Sequence, residues 1–278
     1  MRRHHIERFQ ADLAAGKTAR DLKIGPRARS IVRGGKGVAS RSVGMLGAIF
    51  TFAVGRGYCA ENPVRGVKRF PDGKSERFLS STEMIRLGEA LDLSDRECLE
   101  DPSALNAIRL IALSGCRKNE ALSLEWSFVD FDHGCLHLPD SKTGQKVIIL
   151  GAAALELLSQ LPRLEGNEFV FPGHKPGKHF VGLTRVWERL RKRADIEDVR
   201  IHDLRHSFGA TGASAGMGLP IVGKLLGHRH AATTSRYGHV APDPARAAAD
   251  RIAGTISAAL NGKSYEEYNI VDLSKRNA

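Results

Sequence analysis

Residues 101–150, DPSALNAIRLIALSGCRKNEALSLEWSFVDFDHGCLHLPDSKTGQKVIIL, pass from helical to strand periodicity within one stretch, and that change decides the fold class. Asp101 and Pro102 read as a cap followed by proline at the first helical position, and Leu105, Ile108, Ile111 and Ala112 continue an apolar stripe to Gly115. From Phe128 the pattern shortens to FVDF, CLHL and KVIIL. The turn sequences Asp132-His133-Gly134 and Ser141-Lys142-Thr143-Gly144 separate these runs, so a small antiparallel sheet is expected.

Upstream, Ser80 and Glu83 have capping-box spacing ahead of Met84, Leu87 and Leu91, which starts a helix. Downstream, AAALELLSQL, VGLTRVWERLRKRA, HDLRHSFGATGASAG, PIVGKLLG and DPARAAADRIAGTISAAL all read as helices. The predicted class is mainly α with one small antiparallel β-sheet. Near the start, HHIERFQADLAAG reads as a short helix and DLKIGPRARSIVRGGKG as a loop. A stronger helix is expected from Ser40 to about Gly55–Gly57, with Val43, Leu46, Ile49, Phe50, Ala53 and Val54 as the core of this module. The breaker-rich ENPVRGVKRFPDGKSER then marks a linker. The expected organisation is a basic helical domain over 1–70, a linker over 71–79, a second domain over 80–262 and a tail over 263–278.

Charge is divided unevenly along the 278 residues. Residues 1–78 hold 17 Lys or Arg against 6 Asp or Glu, which accounts for the whole net charge of +11, while the rest balances at 25 of each sign. Phosphates of nucleic acid are the usual partner of such asymmetry, because neutralising them releases condensed counterions. No run of about 18 uninterrupted apolar residues is present and the first ten residues, MRRHHIERFQ, are too charged for a secretory signal, so a cytoplasmic chain is expected. The four cysteines form no C-x-x-C pair and read as reduced core thiols.

Several side chains have chemistry to offer. Arg117 and Glu120 stand three apart at a helix start, and His202 and Arg205 stand three apart on another helix, so each pair can share a face. His228 and Tyr237 follow in LLGHRHAATTSRYGHV, a polar, small-residue stretch expected to leave the tyrosine hydroxyl accessible. His202 and His206 have a zinc-enzyme spacing, but the guanidinium of Arg205 between them argues against a cation, and His206 reads as a core or capping histidine. Neither a G-x-x-x-x-G-K-[ST] loop nor a G-x-G-x-x-G word beside a strand occurs, so no nucleotide cofactor is expected, and with Arg205 set against the histidine pair no metal is expected either.

Arg117, Lys142, His202, Arg205, His228 and Tyr237 in that order, with the words R-x-x-E-x-L, H-x-L-R-H, L-G-H and Y-x-H, resemble the tyrosine recombinase (phage integrase) family over residues 80–240. The resemblance implies a helical core-binding domain followed by a catalytic domain, without the extra arm-binding domain that many phage-type integrases carry at the N-terminus. It implies site-specific DNA cleavage and rejoining through a 3′-phosphotyrosine, without metal or ATP, in integration or excision of a mobile element. Tyr237 is then the nucleophile, Arg117 and Arg205 bind the phosphate oxygens, Lys142 protonates the leaving 5′ oxygen, His202 is the general base and His228 bonds the phosphate. Glu120 supports His202 or an arginine. The implied partners are double-stranded DNA at a core site, a homotetramer assembled on it through the helix after the tyrosine, and accessory DNA-bending proteins, with no membrane. The competing readings are a type IB topoisomerase, which shares the phosphotyrosine chemistry, and a non-catalytic or truncated DNA-binding relative.

Overall fold

A computed structural model describes residues 1–26, 28–71, 77–139, 146–227, 231–238 and 256. The chain forms two compact units, Met1–Ser75 and Glu76–Ala278. The fold is mainly helical with two small antiparallel sheets.

The first unit contains α1 (Arg3–Ala14), β1 (Arg20–Gly25), β2 (Ala28–Val32) and α2 (Lys36–Gly55). Ile6 and Leu13 of α1 are buried, as are Ala39 and Val43 of α2, and the two helices pack on each other. Side chains then fasten the following segment. Gln10 Nε2 donates to the Lys68 carbonyl at 3.1 Å, Ser40 Oγ to Phe70 at 2.8 Å, and Asn62 Nδ2 to Gly47 at 3.0 Å.

Two expectations for this unit are corrected. Residues 21–37 were expected to be a loop, but 20–25 and 28–32 form a hairpin in which Arg20 faces Val32 and Lys23 faces Arg29. Leu22, Ile24 and Ile31 are 47%, 67% and 50% exposed, so this hairpin has no apolar face and rests on its backbone ladder and the Arg29–Asp21 ion pair. The expected core of α2 also shrinks to Val43, while Ile49 and Val54 are exposed and Leu46, Phe50 and Ala53 half-buried. Among the described residues of the unit, the buried ones on α2 are Ala39, Ser40 and Val43, in its N-terminal half. By length and composition α2 could cross a membrane, but its buried residues and its hydrogen bonds to residues 62 and 70 tie it into the unit.

The second unit runs α3 (Ser81–Arg96), α4 (Pro102–Ser114), α5 (Lys118–Leu122), β3 (Val129–Asp130), β4 (Cys135–Leu138), β5 (Lys146–Ile149), α6 (Ala152–Ser159), α7 (Leu183–Arg193), α8 (Ile201–Ser214), α9 (Leu219–Leu226) and α10 (Ala231–Thr234). A single 3-10 turn, Ser235–Tyr237, follows α10. The caps are as the sequence predicts. Ser80 Oγ accepts from the Glu83 amide while the Glu83 carboxylate accepts from the Ser80 amide at 2.8 Å. Asp101 accepts from Ser103 at 2.8 Å, with Pro102 at the first helical position and Gly115 left-handed at the C-cap of α4.

Leu105, Ile108 and Ile111 of α4 sit at the centre of the core with Leu87 of α3, Leu136 and Ile148 of the sheet, Leu158 of α6, and Trp187 and Leu190 of α7. Each such fully buried Leu or Ile contributes about 1.5–3 kcal/mol. The sheet has the order β3-β4-β5, with Asp130 facing Cys135 and Leu138 facing Lys146. Ion clusters brace this unit. Arg77 bonds Glu83 at 2.6 Å and Asp198 at 2.7 Å, and the buried carboxylate of Glu100 takes Arg189 at 2.5 Å and Arg193 at 3.0 Å. The expectation of four core thiols holds for Cys116 and Cys135; Cys59 is half-buried and Cys98 exposed, and all four are free.

Candidate active site

Helix α8 supplies the spine of the site, because His202, Arg205, His206 and Gly209 recur at helical spacing along it. The opposite side of α8 is locked in place. Asp203 is fully buried against Arg200 at 2.7 Å, and Ser207 Oγ accepts from the Leu79 amide at 2.8 Å while donating to the Asp203 carbonyl at 2.8 Å.

Arg205 is only 3% exposed. Its guanidinium donates to the Gly115 carbonyl at 2.5 Å and to the Leu226 carbonyl at 2.5 Å, so it closes the C-terminal ends of α4 and α9 together. A cation there is stabilised by the negative ends of two helices. These bonds use two of the five N–H groups that a guanidinium carries.

The left-handed Gly115 turns the chain out of α4 and delivers Arg117 to the start of α5. The Glu120 carboxylate accepts from the Arg117 backbone at 2.8 Å, from the Arg117 guanidinium at 2.8 Å, and from Lys146 Nζ at 2.8 Å on both oxygens. Burial alone would raise the Glu120 carboxyl, but the bonds from Lys146 and Arg117 outweigh it and hold it below its usual range. Burial lowers Lys146, and the neighbouring Arg205 and Arg117 push the same way against the support of Glu120. Glu120 therefore supports an arginine and a lysine; the His202 partnership is not among its bonds.

Tyr237 is 3% exposed, which corrects the expectation of an accessible hydroxyl. Its ring packs among Ala210, Ala213, Val222 and Leu226, with Phe78, Phe208 and Leu219 at the edge. The close approach to α8 depends on Gly209, where a Cβ would lie 2.6 Å from Tyr237 Cζ. The hydroxyl lies 3.0 Å from Nδ1 of His206. His202, expected as the base toward this hydroxyl, instead stacks edge-on against His206 with ring centroids 4.8 Å apart. Burial and then the charge of Arg205 hold His202 below its ordinary value, so the imidazole is neutral at pH 7.

The structure thus gathers Arg117, Glu120, His202, Arg205 and Tyr237, while Lys142 and His228 lie outside the described residues. Two further residues belong to the site and were passed over in the sequence. His206 read as packing, although its place four residues after His202 and beside Arg205 puts it on the same helix side. Lys146 read only as a strand residue, although its position opposite Leu138 at the start of β5 aims it at Glu120. Cys116 is no rival nucleophile, since burial pushes its thiol up to about 11.

Residues 77–243 match the Phage integrase family. The chain belongs to that family. It is 30% identical over 236 residues to the shufflon-specific DNA recombinase of Escherichia coli, covering 82% of this chain and 57% of that protein. It is also 30% identical over 205 residues to the tyrosine recombinase XerC of Xylella fastidiosa (strain M23), covering 69% of this chain and 66% of that protein. The chain therefore spans about 57–66% of the length of these two relatives.

Among solved structures, the Tn1549 transposon integrase in complex with transposon right end DNA superposes with a TM-score of 0.64 at 16% identity, over 91% of this chain and 86% of that one. A lambda integrase dimer bound to a COC' core site gives 0.61 at 18% identity, over 84% and 81%. These likenesses show the phage integrase fold across both units.

Proposed function

We propose that this phage integrase family member is a site-specific DNA recombinase that cleaves and rejoins DNA through a phosphotyrosine on Tyr237. The observation that carries the reading is the Tyr237 hydroxyl held 3.0 Å from a histidine nitrogen beside Arg205, within a cluster that also contains Arg117, Lys146 and His202. An anion bound there meets donors fixed before the reaction begins, and such preorganised donors are worth about 3–4 kcal/mol each. The names of the relatives and the DNA in the matched complexes support the same reading.

In the reaction, the tyrosine oxygen attacks phosphorus, the phosphotyrosine bond forms as the bond to the 5′ oxygen breaks, and that oxygen takes a proton from Lys142. The hydroxyl proton of Tyr237 passes to an imidazole of the His202–His206 pair. Attack by a 5′ hydroxyl of another strand reverses these steps and needs no ATP. Residues 1–78, which carry the net charge of +11, would hold the duplex. Integration or excision of a mobile element, a tetramer on paired core sites, accessory DNA-bending proteins and a cytoplasmic location complete the proposal.

The test uses nicked duplexes drawn from DNA flanking the coding region, mixed with the full chain and resolved under denaturing conditions. Wild-type protein should be trapped on a core site and Tyr237→Phe should not. Equal trapping of the two proteins would remove Tyr237 as the nucleophile.

A further inference from the structure

A second cluster of chemically able side chains lies on the β3–β4 hairpin, within the sequence DFDHGCLH of residues 130–137. In an antiparallel pair, residues directly opposite share a face, and so do residues two apart on one strand. Asp130 faces Cys135 across the ladder and His137 stands two residues beyond Cys135, so all three side chains rise from one side of the sheet. Leu136 and Leu138 point the other way, into the core.

The donor atoms converge. Cys135 Sγ is 3.3 Å from His137 Nε2, and His137 Nε2 is 3.3 Å from Asp130 Oδ2. The three ligand atoms all lie within 4.8 Å of one another. His133 stands at the edge of this group, its Nδ1 hydrogen-bonded to the same Asp130 oxygen at 2.9 Å. The other carboxylate oxygen accepts the His133 backbone amide at 2.9 Å, which orients the carboxylate as an outer hydrogen bond orients a metal ligand.

We infer that Asp130, Cys135 and His137 form a zinc site. One thiolate, one imidazole and one carboxylate make a three-ligand set of the borderline-soft kind that suits Zn2+, with the fourth tetrahedral position open to water. With metal–ligand distances of about 2.0–2.3 Å, the edges of such a tetrahedron are about 3.3–3.7 Å. The two observed edges at His137 already fall at the short end of that range. His133 and His137 keep 81% and 56% of their side-chain surface in contact with solvent, which gives the ion a way in. Binding exchanges the Cys135 S–H bond for a sulfur–metal bond and releases the proton to solvent. The ion would cross-link the hairpin by three ligands within eight residues and stiffen β4, the middle strand of the sheet. The site does not depend on the DNA chemistry, so either proposal can fail alone.

The test starts from the full chain stripped with a chelator and titrated with Co2+, the spectroscopic substitute for zinc. A near-ultraviolet thiolate-to-cobalt band and tetrahedral visible bands should saturate at one equivalent and disappear on adding Zn2+. Cys135→Ser should lose the thiolate band, and a Cys59→Ser, Cys98→Ser double variant should keep it. His137→Ala, altered at a solvent-exposed ring that leaves the core intact, should weaken Co2+ binding at least tenfold. The inference is overturned by absence of the band, by its survival in Cys135→Ser, or by unchanged affinity in His137→Ala.

Discussion

Nδ1 of His206 on α8 and the hydroxyl of Tyr237 on the turn after α10 lie 3.0 Å apart, although 31 residues separate them in sequence. A free tyrosine hydroxyl has a pKa of about 10, so at neutral pH it needs a partner that can take its proton, and the imidazole of His206 is in reach.

Replacing His206 by Leu should therefore slow covalent attachment by about 100-fold or more, the usual scale for losing a positioned acid or base. DNA affinity should stay unchanged. Single-turnover trapping on a nicked core site measures the rate. An unchanged rate would return the role of base to His202, whose Ala variant is the matched comparison.

Gly209→Ala tests the seat of the tyrosine. The added Cβ would meet Tyr237 Cζ at 2.6 Å, Cε2 at 2.7 Å and Leu226 Cδ1 at 3.0 Å. One side must move, and overpacking of this kind costs about 1–3 kcal/mol. Since the tyrosine sits on a short turn and Leu226 in a helix, the tyrosine should yield. Covalent trapping should fall while DNA binding persists; wild-type trapping by the variant would mean that the ring does not need this approach.

The features that were legible in the sequence are those written locally. Ser80 with Glu83, and Asp101-Pro102 with Gly115, specify helix ends through contacts a few residues long, and both appear as read. The sheet of the second unit was legible because Leu136, Leu138 and Ile148 must face a core. The hairpin of the first unit was not, because both of its faces meet solvent and no alternation marks them. Tyr237 shows the same limit at the site. Its neighbours in sequence are small and polar, whereas the residues that bury it, Ala210, Val222 and Leu226, come from two other helices. The partnerships of His206 with Tyr237 and of Lys146 with Glu120 are likewise long-range, so the site's composition was readable and its wiring was not.

The acid limb of stability should report on His202, the ring stacked against His206. Burial and the charge of Arg205 place its folded-state pKa below 6.5. It therefore stays neutral in the folded protein while the unfolded chain is already binding a proton. Stability is fully present above pH 6.5 and declines as pH falls through that value toward the folded pKa. Wild type should therefore lose stability relative to a His202→Ala variant as pH falls below 6.5, measured by urea unfolding. A difference that stays constant or grows in favour of wild type on acidification would contradict the desolvated imidazole.

Glu120→Gln separates support from chemistry. The carboxylate binds Arg117 and Lys146 at once, and the amide can replace only part of that hydrogen bonding while removing the charge that offsets both cations. Leaving a half-buried lysine short of its acceptor should cost about 1–3 kcal/mol, read from urea unfolding at pH 7. Because the Glu120 pKa is depressed below 4.5, its contribution is present above that pH and disappears as pH falls through the folded value. The difference between wild type and variant should accordingly shrink on acidification below pH 4.5. A constant difference across that range would mean that lost packing, and not the charge on Glu120, holds Arg117 and Lys146 in place.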